Sequence, residues 1–196
     1  LDLDFQHDFV WQKDHQIVWG ANYRLSHDDT EALGTISFDP ESRTTHQFAL
    51  FGQDQITVIP NKLQLTAGMR FEHNDFSGVE LQPTLRALWT PHPDHTVWTA
   101  ASRAVRVPSR GDDDVQVISL SLPPGLLGPG TPVAQPVAFG DKDTRSEVLW
   151  ALDLGYRARP HKRLSFDLAG FMYSYDDLQT AEPGTPFLDP IPLPHL

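Results

Sequence analysis

Apolar and polar residues alternate along much of this chain with a period of two. In the segment that starts at Leu63, the positions on one side are apolar, namely Leu63, Leu65, Ala67, Met69 and Phe71, and the positions between them are mostly polar. Successive side chains of a β-strand point to opposite faces, so this pattern predicts a strand with one apolar and one polar face. Similar alternation recurs from residue 79 to 90 and from 147 to 157.

Eight strands of this kind are predicted, near residues 1–11, 15–27, 44–59, 62–75, 78–91, 95–107, 144–159 and 162–178. The phase of the third is ambiguous, because Phe48, Leu50 and Phe51 cannot all share one face. The strand around Trp98 has two mixed faces. Many of these strands exceed the ~5–6 residues of an average globular strand, and their length suits tilted membrane strands of about 9–11 residues that continue past the bilayer.

The connections between these strands fall into two classes. Short polar turns centre on Lys13, Asn61, Pro93 and Pro160, whereas the alternate connections are longer loops near residues 26–45, 74–78 and 108–144. Short turns on one rim and longer loops on the other are typical of outer-membrane barrels. The sequence therefore predicts an all-β fold, an antiparallel up-and-down meander of about eight long strands that forms part of a transmembrane β-barrel.

Aromatic residues form two groups along the predicted strands. One group lies near the short turns and contains Trp11, Trp19, Trp89, Trp98, Tyr156 and Phe166. The other lies toward the long loops and contains Tyr23, Phe71, Phe76, Tyr173 and Tyr175. Two aromatic belts at the two faces of a membrane would produce this grouping. The alternative is that these rings fill the core of a soluble sandwich.

Composition narrows the range of functions. The chain has 196 residues, 39% of them hydrophobic, and a formal net charge of -11, which argues against a nucleic-acid partner. A mean hydropathy of -0.36 argues against a membrane-spanning helix, and the absence of cysteine excludes disulfides. The chain starts inside an alternating run and stops in a proline-rich stretch without a signal peptide, which suggests a piece of a larger protein.

Two groups of side chains are candidate ligand contacts. Arg103, Arg106 and Arg110 recur where a strand runs into the longest loop, and their guanidinium groups suit an anionic ligand or an acidic internal partner. His27 and His46 also lie near a long loop. The alternative for the arginines is solvation at the rim and pairing with neighbouring carboxylates.

A third group suggests a cation. Asp112, Asp113 and Asp114 supply oxygen ligands of the kind that calcium prefers, although the order of an EF-hand loop is absent. The alternative is a solvated acidic loop. The sequence contains no nucleophile elbow, phosphate loop or His-Glu-x-x-His pair, so neither an enzyme nor a cofactor is expected.

Several stretches resemble the β-barrel of TonB-dependent outer-membrane receptors. Phe51 to Ile56 (Phe-Gly-Gln-Asp-Gln-Ile) resembles an aromatic-small-Gln-Asp-Glu strand of that family, and Leu65 to Glu72 resembles its Leu-x-x-Gly-x-Arg-Tyr-Glu strand. Ser102 to Ser109 resembles its Ser-Arg-x-Phe-Arg-x-Pro-Ser strand exit. Glu147 followed by Leu154-Gly155-Tyr156 resembles a further motif, although Asp153 stands where Glu is usual.

This resemblance implies uptake of a scarce nutrient, such as an iron–siderophore, haem or cobalamin, across the bacterial outer membrane. It also implies partners: membrane lipid, the nutrient complex, and a plug domain and TonB that parts outside residues 1–196 would engage. Barrels of this kind have about twenty-two strands, so the chain would supply about a third of one.

Two alternatives to the receptor segment stay open, namely a complete eight-stranded outer-membrane protein and a soluble β-rich ligand- or carbohydrate-binding module. The isolated chain is expected to aggregate or to close into a small non-native barrel, because open sheet edges favour association.

Overall fold

The computed structural model describes residues 1–32, 34–119, 122–125, 129–130 and 136–184. Its elements are β1 (Asp2–Trp11), β2 (His15–Asp29), β3 (Ile36–Phe38), β4 (Ser42–Ile59), β5 (Leu63–Asn74), β6 (Gly78–His92), β7 (His95–Arg106), α1 (Arg110–Asp113), β8 (Val115–Ile118), β9 (Val137–Phe139), β10 (Glu147–His161) and β11 (Leu164–Asp176). The chain divides into two compact units.

The first unit, called the sheet unit, contains Leu1–Ser26, Thr44–Val107 and Arg145–Asp177. Its strands form one eight-stranded sheet in the order β1-β2-β4-β5-β6-β7-β10-β11. The recorded pairings between neighbours are antiparallel, and every strand pairs with the next long strand along the chain. This confirms the predicted eight-stranded meander, and the observed strand bounds lie within about three residues of the predicted ones.

From β5 to β11, one face of this sheet is apolar, whereas in β4 Asp54 lies on this face opposite Ala67. Residues that pair across antiparallel strands share a face. One row of paired residues runs across five strands, through Ala67, Leu85, Ala101, Leu152 and Met172. Leu85 is 57% exposed and Met172 67% exposed, although both lie in this apolar row. Within the described residues, Ala49 and Ala158 are the only hydrophobic residues that are buried. In the described part of the chain, the sheet therefore has no apolar core of its own, and its apolar face is exposed.

The opposite face is polar. The strand pairings also show which residues of β4 and β7, the two strands with ambiguous alternation, lie on each face. Gln55, Thr66, Arg86, Ala100 and Asp153 form a row on it. In β4, Phe48 and Leu50 share the apolar face. Phe51 lies on the polar face, where its ring would be 2.6 Å from a Cβ at position 20, so the glycine there gives the ring room.

In β7, Trp98 also lies on the polar face. Its indole ring covers Gly155, where an added Cβ would overlap the ring. Trp98 therefore does not belong to the predicted turn-side belt on the apolar face. The mixed composition of the strand arises because this large ring and small residues such as Ala100 and Ser102 share the polar face.

The aromatic belts are thus only partly as predicted. Trp89 and Tyr156 lie in one apolar-face row with Leu63, Val97 and Leu168, close to the short turns. Tyr173 and Tyr175 of the predicted loop-side belt lie on the polar face instead, because they pair with Ala151 and Leu149. The Tyr173 hydroxyl donates a hydrogen bond of 3.0 Å to Asp153 there.

The second unit, called the loop unit, contains His27–Arg43, Pro108–Thr144 and Leu178–Leu196. Within it, β3, β8 and β9 form a three-stranded antiparallel sheet, which the sequence did not predict. The helix α1 directly precedes β8. Ser109 is the N-cap residue of α1, and Asp112 Oδ2 accepts hydrogen bonds from its backbone N–H and its hydroxyl, at 2.7 and 2.8 Å.

The chain that leaves β9 packs against α1 through Gly140. An added Cβ at this position would lie 2.6 Å from the backbone carbonyl of Asp113, so the close approach requires glycine. Asp141 N–H donates to the carbonyl of Asp112 at 2.9 Å. In the part of the chain that the structure describes, no helix is long and apolar enough to cross a bilayer.

Candidate functional site

The polar face of the sheet unit contains an open crevice of about 390 Å³. Gln55, Thr66, Arg86, Trp98 and Asp153 are among the residues that line it. Strand register, rather than sequence proximity, aligns four of these five side chains in one row. Arg86 makes no ion pair with any described residue, so the crevice offers a guanidinium that can bind a carboxylate or phosphate through two parallel hydrogen bonds.

Toward the long loops, the same face carries buried carboxylates paired with arginines. Glu72 is 4% exposed and lies 2.9 Å from the Arg70 guanidinium. Glu80 is 8% exposed and lies 3.4 Å from Arg103. A buried charge needs such a partner, because an unpaired one is costly.

Arg103 also donates a hydrogen bond to one backbone carbonyl of β6. The ladder between β6 and β7 ends at the pair formed by Thr84 and Ser102, so β7 offers no N–H to the Leu81 carbonyl. The Arg103 guanidinium donates to this carbonyl instead. The residue therefore holds the loop end of β6 against β7 while it neutralises Glu80.

In the loop unit, two arginines converge on Asp114. The Asp114 side chain is fully buried, and its Oδ2 lies 2.7 Å from Arg43 and 3.4 Å from Arg110. Arg110 also pairs with Asp28 and donates to the Glu41 carbonyl at 2.8 Å. Its guanidinium lies 5.1 Å from the centre of the Phe38 ring, a cation–π distance.

Burial dominates the titration of Asp113, which neighbours this cluster. Desolvation raises the pKa of its carboxyl, the Arg43 charge opposes that effect, and the charge on Asp114 reinforces it. Arg43 lies 3.5 Å from Asp113 Oδ2, and the other carboxyl oxygen is buried without a hydrogen-bond partner.

The three aspartates considered as calcium ligands are directed to different partners. Asp112 accepts hydrogen bonds from Ser109 at the start of α1, Asp113 lies beside Arg43, and Asp114 binds both Arg43 and Arg110. Across the described residues, no group of three or more His, Asp or Glu side chains is arranged to hold a metal ion.

The residues considered as ligand contacts do not form one cluster. Arg103 pairs with Glu80, Arg106 lies 3.3 Å from Glu147, and Arg110 belongs to the Asp114 cluster. His46 Nδ1 is 2.9 Å from the Tyr23 hydroxyl, whereas His27 is exposed near the end of β2. Arg103, Arg106 and His46 belong to the sheet unit, and Arg110 and His27 belong to the loop unit.

Sequence reasoning missed Arg43 and the crevice around Arg86, Trp98 and Asp153. Arg43 and Asp114 are separated by 71 positions, so no local pattern links them. The residues that line the crevice lie on five different strands, and only the pairing registers of these strands bring them together. The alternation pattern already placed Arg86 and Asp153 on polar faces, which was the available signal.

The fold defines a class of protein: a two-faced antiparallel wall of the kind that closes into a membrane barrel. The sequence profile of the family described as TonB dependent receptor-like, beta-barrel, matches residues 1–192. The chain therefore belongs to this family. No curated protein matches the chain significantly.

Solved structures share the fold at low sequence identity. A variant of the ferric enterobactin receptor PfeA from Pseudomonas aeruginosa superposes with a TM-score of 0.69 at 19% identity, over 89% of this chain and 26% of that receptor. The siderophore receptor PirA from Acinetobacter baumannii gives 0.69 at 13% identity, over 89% and 26%. PirA from Pseudomonas aeruginosa gives 0.68 at 18% identity, over 89% and 30%. The chain thus spans between a quarter and a third of the length of these receptors.

Proposed function

We propose that this chain is a wall segment of an outer-membrane receptor that takes up a scarce nutrient through TonB, with an iron–siderophore as the first candidate. The observation that carries the proposal is the open apolar face, whose rows of exposed Leu, Ala and Met residues have no partner within the sheet unit. Such a face needs lipid or another apolar surface against it. Family membership and the siderophore receptors with the same fold support the choice of ligand class.

In this proposal the two faces have different tasks. The apolar face contacts lipid, and the polar face with Arg86 and Asp153 lines the barrel interior. Arg106, at the end of β7, and His27, near the end of β2, are two separate candidate contacts for an incoming anionic complex. The plug domain and the segment that contacts TonB belong to the parts of a receptor that residues 1–196 do not supply.

Size-exclusion chromatography with light scattering tests the membrane assignment. The purified chain is run in buffer alone and in non-ionic detergent, and circular dichroism follows its β content. We expect aggregation in buffer and β-rich, monodisperse particles only in detergent. A monodisperse monomer without detergent would mean that the apolar faces pack inward, and the soluble binding module would replace this proposal.

Binding of ferric enterobactin tests the ligand class separately. The probe is titrated into the detergent-solubilised chain, and quenching of tryptophan fluorescence is followed. We expect saturable quenching that Arg106→Gln weakens and that Arg24→Gln, a control at an exposed pair with Asp2, leaves unchanged. Absence of saturable quenching would reject siderophore binding by this segment while leaving the membrane assignment intact.

A further inference from the structure

The turn between β10 and β11 concentrates positive charge in an otherwise acidic chain. Four of the 15 lysines and arginines lie between residues 157 and 163, while the formal net charge of the chain is -11. These four are Arg157, Arg159, Lys162 and Arg163. A local excess of positive charge of this kind attracts anions.

Two of the four cations have acidic partners, and two do not. Arg157 lies 2.5 Å from Asp167, and Arg159 lies 3.6 Å from Asp94. Lys162 and Arg163 are exposed and make no ion pair with any described residue. Two cationic groups at the tip of the turn are therefore available to an anion outside the chain.

The other short turns lack this feature. The β1–β2 turn carries Lys13 beside Asp14, and the β4–β5 turn carries Lys62 alone. The β6–β7 turn carries Asp94 and no lysine or arginine. A pair of adjacent unpaired cations is thus a property of the β10–β11 turn among the four short turns, all of which the structure describes.

Aromatic rings on the apolar face lie directly behind this turn. Tyr156 and Phe166 meet edge to face with their centres 6.1 Å apart, and Leu164 and Leu168 beside them are 56% and 69% exposed. Arg163 is three residues from Phe166, roughly 10 Å along an extended strand. Aromatic rings prefer the boundary between acyl chains and headgroups, and lysine and arginine extend from it toward the phosphates.

We propose that the β10–β11 turn binds the headgroup of an anionic phospholipid through Lys162 and Arg163, with Tyr156 and Phe166 against the upper acyl chain. This inference rests on the proposed membrane location of the sheet. The phosphodiester supplies the negative charge, and the lipid tail explains why the cations adjoin an apolar, aromatic surface. A soluble anion would contact only the two cations and not the apolar, aromatic surface beside them.

Lipid binding to the full chain in non-ionic detergent tests the inference. Phosphatidylglycerol and phosphatidylcholine with identical tails are titrated separately, and bound lipid is counted by native mass spectrometry. The test variant is Lys162→Gln/Arg163→Gln. The control is Lys142→Gln/Arg145→Gln, which removes two exposed cations near the long loop and changes the net charge equally.

We expect phosphatidylglycerol to bind the original chain more tightly than phosphatidylcholine does. The test variant is expected to lose roughly thirty-fold in affinity for phosphatidylglycerol and nothing for phosphatidylcholine, while the control stays near the original value. An equal loss in the control would reveal a general charge effect and overturn the assignment. Displacement of the lipid by inorganic phosphate at equal concentration would also overturn it, because the site would then recognise a bare anion.

The outcome separates this inference from the proposed function. A chain that enters detergent micelles but does not prefer phosphatidylglycerol overturns the lipid site alone. A chain that stays monodisperse without detergent and does not associate with micelles overturns both.

Discussion

Gly155 gives the Trp98 ring its place on the polar face of the sheet. A Cβ at position 155 would overlap three atoms of the indole. We therefore expect Gly155→Ala to displace Trp98 and to lower the free energy of unfolding by about 1–3 kcal/mol, the usual cost of overpacking. Urea unfolding in detergent, followed by tryptophan fluorescence, measures this. Gly170→Ala is the matched control, because a Cβ there meets no atom within 4 Å; equal losses in both variants would contradict the packing argument.

Arg43 is the second residue on which a local structure depends. Its guanidinium lies 2.7 Å from the fully buried Asp114 side chain, so Arg43→Gln leaves that carboxylate with Arg110 alone. Loss of the sole partner of a buried charge costs about 3–5 kcal/mol, and we expect a smaller loss here because Arg110 still neutralises Asp114. We expect α1 and β8 to open, and limited trypsin digestion should then cleave after Arg110 much faster.

Arg24→Gln is the control for this experiment. It removes an arginine from an exposed pair with Asp2, and such surface pairs contribute little. Its digestion pattern should match that of the original chain. Unchanged cleavage at Arg110 in the Arg43 variant would show that Arg43 does not order the loop unit.

Alternation of apolar and polar residues predicted the long strands but not the short ones. Most long strands repeat their two-residue period over ten residues or more, so their presence and their faces follow from local sequence. In β4 and β7 the faces do not follow from it, because Phe51 and Trp98 lie on the polar face against glycines of neighbouring strands. β3 has only three residues and pairs with β8, about 79 positions away, so no local signal reveals it. The prediction that Trp98 belongs to the turn-side aromatic belt was wrong for a related reason. A glycine on the neighbouring strand β10 determines where its ring packs.

The two faces of β6 differ in what they contact. Leu85 lies in the middle of this strand, on the apolar face. If that face contacts lipid, Leu85→Lys places a charge near the bilayer midplane, which costs about 2–4 kcal/mol. We expect folding into lipid vesicles, read from the shift between folded and unfolded bands on cold electrophoresis gels, to fall sharply.

Gln64→Lys is the control for the lipid-facing charge. Gln64 lies on the polar face of β5, in register with Leu88 and Trp98. A lysine there reaches water, so its folding yield should stay close to that of the original chain. If both lysine variants fold equally well, the apolar face does not contact lipid.

At the scale of the whole molecule, the eight-stranded sheet is open. Its order runs from β1 to β11, and no described residue of β1 pairs with β11. Each of these two edge strands therefore has one unsatisfied row of backbone groups, which favours association with further strands. This arrangement fits a segment of a larger wall and disfavours the complete eight-stranded barrel, which requires that β1 and β11 pair.

Hydrogen exchange distinguishes the open sheet from the closed barrel. In detergent micelles, β5, β6 and β7 have neighbours on both sides, whereas β1 and β11 have a neighbour on one side only. We expect deuterium uptake, measured by mass spectrometry of peptides, to be fastest in β1 and β11 and slowest in β5 and β6, because amides without a ladder partner exchange readily. Uniformly slow exchange in all eight strands would mean that β1 and β11 have paired, either with each other or with a second copy. Light scattering on the same sample separates these cases, since a closed monomer keeps the mass of one chain and edge-to-edge association at least doubles it.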